Sequence, residues 1–312
     1  MVAGVAQRAM VASFHPMITS SRLVRLAIRV LGVVPATPVR WMARGCGALA
    51  SAFAGTRRAA VMENHRWLAP HLSESERRRA TRRTFANMFD AAVDLWRLPT
   101  LRPGEFTSLV AVEGREHLDA AIAVNRGVIV VTAHLGPYEL GGAWLAHAGY
   151  PCHAMMEVLD PETNAALALY RQATGMQLVP RSAGVRPLLR LLRDRQIVIL
   201  VADRVVGHGA EGVAVPFGVG MRAIPTGPAS LALATGAPIV VGVITHATRR
   251  RARYLVTLQE AIVPTDTGDA TRDRDTITRA IGSALSTAAQ ATPDQWYVFQ
   301  PQWITRDGSA GG

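Results

Sequence analysis

The sequence predicts an α/β fold: a central, largely parallel or mixed β-sheet flanked by helices, with a helical N-terminal layer that associates with a membrane. Three observations predict it. From Val110 onward, short runs of Val, Ile and Leu alternate with stretches of helical spacing, the rhythm of β-α-β units. Before that point, residues 38–98 carry helical periodicity alone. In residues 21–55, Arg22, Arg25 and Arg29 recur at helical spacing while Leu23, Leu26, Ala27 and Val30 fall on another face.

That first segment is amphipathic. Five arginines (Arg22, Arg25, Arg29, Arg40, Arg44) interrupt it and Pro35 and Pro38 break it, whereas a spanning helix needs about 20 nearly uncharged apolar residues. Arg on one face and Leu, Val and Trp on the other suit a helix lying in a membrane interface; packing on the chain's own core is the alternative. Apolar stripes then alternate with Arg-rich turns, and Ser73 with Glu76 forms a capping box for a helix ending near Leu98. Pro99, Pro103 and Gly104 mark a loop.

Strands are expected at 110–114, over GVIVVTAH, at 151–158, 176–181 and 196–204, then at 213–217, 237–244 and 253–260. Helices are expected at 115–125, 137–148, from Pro161 through Arg171 to Gly175, at 184–195, 226–235 and about 271–291. No linker interrupts this order, so residues 1–312 read as one domain, with a helical part (1–100) and an α/β part (105–305).

Composition narrows the function. The 312 residues are 49% hydrophobic, enough for a large core. Lys plus Arg exceed Asp plus Glu by 34 to 23, a formal charge of +11, and the basic side chains are arginines. Such surfaces suit phosphate, anionic lipid or acidic protein partners. No basic stripe forms and aromatics are only 6%, which argues against nucleic acid. Cys46 and Cys152 stand far apart, implying neither a disulfide framework nor a zinc site and fitting a reducing cytoplasm. The first 20 residues lack the apolar core and cleavage motif of a signal peptide. No G-x-S-x-G elbow, phosphate loop or H-E-x-x-H occurs, and no residues stand at metal-ligand spacing.

The strongest site signal is TAHLGPYELGG. His134 ends a buried strand and Glu139 follows five residues on, after a Gly136-Pro137 turn. A histidine there can take a proton near neutral pH, and a carboxylate can hold it in one tautomer. At a helix N-terminus, Glu139 is expected to stay ionised. The structural alternative is a histidine satisfied by a loop carbonyl and a capping glutamate. Asp203 and Arg204 follow IVILVA and should reach the same sheet edge, as a functional or a structural ion pair. Arg171, on the helix preceding the MQLVPR strand, has the chemistry for an oxyanion or phosphate, or is an ordinary surface arginine.

Four ordered blocks carry a resemblance: TAHLGPYELGG, ALYRQATGMQLVPRSAGVRPLLRLLRDRQIVILVADR, GVAVPFGVGMRAIPTGPASLALATGAPIVVGVI and PDQWYVFQPQW. Over about residues 40–305 the chain resembles the lauroyl/myristoyl-type bacterial lipid acyltransferases, which include the late acyltransferases of lipid A and the phosphatidylinositol mannoside acyltransferases. The resemblance implies a glycerolipid acyltransferase-like fold and transfer of an acyl group from acyl-CoA or acyl carrier protein to a lipid or glycolipid hydroxyl, with no further cofactor. It implies a peripheral enzyme on the anionic cytoplasmic face of the plasma (inner) membrane. It makes His134 the general base, Glu139 an organising acid, and Arg171 and Asp203 charged groups of the cleft. Arg204, Tyr138, Pro225 and Gly227 would bind substrate. The mannoside branch carries a Glu in G-V-E-V that orients the histidine, where this chain has Gly212-Val213-Ala214-Val215. Glu211 lies three residues earlier and on a strand would face the other way, so Glu139, Asp203 and Glu211 all remain candidates to partner His134. Rival readings are a thioesterase-like hydrolase and a non-catalytic lipid-binding protein on the same fold.

Overall fold

The computed structural model describes residues 28–156, 174–205, 212–247 and 252–304. The helix expected over 161–175 falls almost wholly outside them, as do Arg22, Arg25, Arg171 and Glu211.

The helical layer comprises α1 (Ala36–Phe53), α2 (Gly55–Leu68) and α3 (Glu74–Arg97). Ser73 caps α3 through the expected box, accepting from Glu76 N–H while the Glu76 carboxylate takes the Ser73 N–H at 2.8 Å. Pro38 does not break α1. It sits in the first turn, where a missing N–H costs no intrahelical bond. The expected loop at Pro99–Gly104 is shorter than predicted, because Pro103 opens another helix, α4 (Pro103–Leu109).

The α/β part runs β1 (Val110–Glu113), α5 (Arg115–Ala123), β2 (Val128–Thr132), α6 (Tyr138–His147), β3 (Cys152–Met156), β4 (Gln177–Pro180), α7 (Arg186–Arg193) and β5 (Ile197–Val201). It continues with β6 (Gly212–Phe217), β7 (Gly220–Pro225), α8 (Gly227–Thr235), β8 (Ile239–His246), β9 (Tyr254–Leu258) and α9 (Ala270–Ala291). The central sheet has the order β1-β9-β8-β2-β5-β3-β4, parallel except for β8 against β9. It is therefore mixed, as predicted.

Residues 213–217 do form a strand, but outside that sheet. β6 pairs antiparallel with β7, over which the sequence predicts no element. Gly and Pro at both ends of β7 mask its inward positions, Arg222 and Ile224.

Period-2 alternation distributes β2 between two cores. Ile129 and Val131 face α7, α8 and α9 through Leu192, Ala232 and Ile281. Val128 and Val130 face α5 and α6 through Leu118, Leu140 and Trp144.

An ion network fastens the helical layer to the sheet. Asp90 and Asp94, one turn apart on α3, are almost completely buried. Arg40 of α1 binds Asp94, and Arg44 reaches Asp90 at 3.2 Å. Arg253, beside β9, bridges both carboxylates at 2.6 and 2.7 Å, and the Tyr254 hydroxyl donates to Asp94 at 2.6 Å. Arg40 and Arg44, which interrupt the apolar run, are thus held by carboxylates of α3.

Removing one member of such a network leaves buried charge without a partner. Asp94→Ala should lower unfolding stability by about 3–5 kcal/mol in denaturant titration; a loss below about 1 kcal/mol would contradict this role.

Candidate active site

β2 and β5 are parallel neighbours, with Thr132 opposite Val201. Their C-terminal ends release His134 and Asp203 side by side, at the sheet edge where α/β folds place their sites. The loop after β2 is held in place by backbone bonds. Tyr297 N–H donates to the His134 carbonyl at 2.7 Å, and Gly136 N–H donates to the Gln295 carbonyl at 2.7 Å. Gly136 has φ +57°, and a Cβ there would lie 2.1 Å from the Ile244 carbonyl oxygen, so only glycine lets this turn close against β8. The C-terminal QWYVF stretch thus frames the histidine.

Asp203 is fully buried. Its Oδ1 accepts from His134 Nδ1 at 2.7 Å, and its Oδ2 accepts from His134 N–H at 3.0 Å and Trp296 Nε1 at 2.8 Å. Burial alone would raise its pKa. The charge and hydrogen bond of His134, the Arg204 guanidinium and the Trp296 N–H outweigh burial and hold the carboxyl well below the usual carboxylate range. An ionised Asp203 only accepts, so Nδ1 carries the proton.

The other ring nitrogen faces Arg204, whose Nη2 lies 3.2 Å from His134 Nε2. Arginine only donates, so this contact exists while Nε2 bears a lone pair. Arg204 Nη1 donates to Gln300 at 2.7 Å.

His134 and Arg204 line a cavity of about 830 Å³. Its wall is mostly apolar, including Met155, Met156, Met176, Leu188, Ile199 and Leu231. Tyr138, Glu139, Pro225 and Gly227 also line it, so the residues singled out by resemblance converge within the described structure. This is the size and character of a small-molecule pocket.

Three carboxylates stand open from the sequence as partners of His134. Glu139 does not take Nδ1 of His134; Asp203 does. Nor does the helix N-terminus dominate at Glu139, where burial pushes the carboxyl above its ordinary value, opposed by hydrogen bonds to its own backbone and to Tyr138. Ala214 lies on the exposed face of β6, with Val213 and Val215 turned inward. A carboxylate at 214 would point outward, while the one that holds the imidazole arrives from β5. Arg171 and Glu211 lie outside the described residues.

Sequence reasoning missed Trp296, Gln300 and Arg222 as site residues. Arg222 Nη2 donates to the Asp203 carbonyl at 2.9 Å. A charged residue in an inward position of an alternating strand was its signal.

The chain matches the family described as bacterial lipid A biosynthesis acyltransferase over residues 11–305. It is 30% identical over 218 residues to a phosphatidylinositol mannoside acyltransferase of Mycobacterium tuberculosis (strain CDC 1551 / Oshkosh), covering 68% of this chain and 66% of that protein. A phosphatidylinositol mannoside acyltransferase of Mycolicibacterium smegmatis is 28% identical, with 68% of each covered. The lipid A biosynthesis palmitoleoyltransferase of Escherichia coli (strain K12) is 26% identical, covering 72% and 73%. The alignment to the first of these spans just under two thirds of its length.

A carboxyl whose native pKa is depressed stabilises the fold above its unfolded pKa, about 4, and loses that contribution as pH falls toward the native value. As pH falls from about 5 to about 3, the stability difference between the wild type and Asp203→Asn should shrink. Urea unfolding across pH checks this; a difference that stays level to about pH 3 would contradict the ionised, donor-held Asp203.

Proposed function

The chain belongs to the bacterial lipid A biosynthesis acyltransferase family, and from that premise we propose that it is an O-acyltransferase moving a fatty acyl group from acyl-CoA or acyl carrier protein to a hydroxyl of a lipid or glycolipid, such as a phosphatidylinositol mannoside-like acceptor. One observation carries the mechanism: a histidine with Nδ1 committed to a buried aspartate presents Nε2 at an apolar cavity of about 830 Å³.

The acyl chain lies in the cavity, with the thioester carbonyl at His134. The acceptor hydroxyl displaces Arg204 from Nε2. Nε2 takes the hydroxyl proton as the oxygen attacks the carbonyl carbon, and Asp203 stabilises the imidazolium that forms. The displaced guanidinium becomes a donor for the tetrahedral oxyanion. Collapse breaks the carbon–sulfur bond, and the thiolate recovers the proton from Nε2. The ester leaves with the base restored. Arg171 keeps the cleft role that the resemblance implies.

Attachment is peripheral, to the cytoplasmic face of the inner membrane. No helix among the described residues is long and apolar enough to cross a membrane. The outer face of α1 supports surface attachment: Trp41 (73% exposed), Met42, Leu49 and Phe53 (83%) stand outward, while Arg40 and Arg44 turn in to Asp94 and Asp90. An outward helix face of Trp, Met, Leu and Phe suits the headgroup–acyl boundary.

With labelled acyl-CoA or acyl carrier protein and a bacterial lipid extract, His134→Ala should slow label transfer by about 10²–10⁴-fold; transfer at the wild-type rate overturns the mechanism. Label released as free acid without any lipid acceptor would instead identify a hydrolase. Trp41→Glu, Leu49→Glu and Phe53→Glu together should reduce partitioning onto anionic vesicles by at least about tenfold; unchanged partitioning removes α1 from the attachment surface.

A further inference from the structure

Arg222 is a buried cation that the mechanism does not use. It sits on β7 opposite Val215 of β6 and is completely enclosed. Three aromatic faces surround its guanidinium: Trp296 at 4.7 Å, Trp303 at 5.1 Å and Phe217 at 5.6 Å. Nη2 donates to the Asp203 carbonyl at 2.9 Å and to Gln302 at 3.3 Å, while Nε and Nη1 are buried without a hydrogen-bond partner. Burial pushes its pKa down to about 10, so the group remains a cation at neutral pH.

Such a placement is costly for a residue that only fills space. Burying a charge with two nitrogens unpaired opposes folding, and an apolar side chain of similar size would pack among Trp296, Trp303 and Phe217 without that penalty. What an apolar residue cannot do is donate to the Asp203 carbonyl. That carbonyl belongs to the peptide joining Asp203 to Arg204, the residues that contact the two ring nitrogens of His134. Trp296 reinforces the arrangement, since it packs against Arg222 and donates to the Asp203 carboxylate.

We propose that Arg222 is a positioning residue: by holding the Asp203–Arg204 peptide from behind, it fixes the carboxylate on His134 Nδ1 and the guanidinium on His134 Nε2 in one geometry. It does not touch substrate. The inference rests on the reading of His134 as the base.

The test compares wild type, Arg222→Met, Arg222→Lys and His134→Ala, using labelled palmitoyl-CoA or palmitoyl-acyl carrier protein with a bacterial lipid extract. Alongside kinetics, the His134 Nδ1 proton is observed by NMR in protein carrying ¹⁵N-histidine. In Arg222→Met, kcat should fall by at least about tenfold with the donor KM within about threefold, because the apolar cavity is untouched while the base loses its alignment. The Nδ1 proton signal should shift or broaden, which a space-filling role would not cause. Arg222→Lys, which keeps a charged donor, should recover most of kcat and the signal. A folded Arg222→Met with wild-type kcat and an unchanged signal overturns the inference. Should that variant not fold, Arg222→Gln, too short to reach the Asp203 carbonyl, is read in the same way. If neither folds, Arg222 serves stability and the inference also fails. His134→Ala separates the two claims: full activity there overturns the general-base reading, whereas its loss beside a wild-type Arg222→Met overturns only the positioning role.

Discussion

A carboxylate sealed from water persists in its charged form only where donors replace its hydration, and Asp203 has three: the His134 backbone, the His134 ring and the Trp296 indole. Each donor comes from a different stretch of architecture or serves a different purpose. The backbone bond fixes where the chain leaves β2. The ring bond fixes the tautomer of the imidazole. The indole bond ties the C-terminal segment to the site. Loss of the Asp203 charge would loosen all three together, which is why the strand ends, the β6–β7 hairpin and the C-terminal tryptophans form one structure.

The hairpin and the C-terminal segment act as a support behind the sheet edge. Phe217, Trp296 and Trp303 pack together around Arg222, with Phe217 stacked on Trp296 at 5.3 Å between centroids. Trp303 in turn donates to Asn64 of α2 at 2.8 Å, so the helical layer braces the same cluster. Aromatic packing supplies rigidity, while Arg222 donates to the Asp203 carbonyl and Trp296 to its carboxylate. The His134 side thus stays open to an apolar cavity while its reverse side is closed.

Much of the fold was legible because the strands are long apolar runs and the helices carry caps and clear periodicity. Runs such as VIVVT and IVILV are buried on both faces and admit little ambiguity. β7 escaped because GMRAIP places an arginine at an inward position, which reads as polar loop. His134, Asp203 and Arg204 were legible as titratable or charged residues following apolar strands. Their pairing was not, since it depends on β5 lying directly beside β2 in the sheet, a fact of topology rather than of spacing. Glu139, close in sequence, and Asp203, 69 residues away, were both open as partners, and Asp203 is the one the sheet delivers.

The central claim is that His134 and Asp203 act as a single unit, the aspartate working only through the imidazole. A double-mutant cycle on kcat with His134→Ala and Asp203→Asn measures this directly. The account predicts that the double variant is no slower than His134→Ala alone, because without the imidazole the carboxylate has nothing left to orient. Losses that multiply would show that Asp203 contributes independently of His134 and would contradict it.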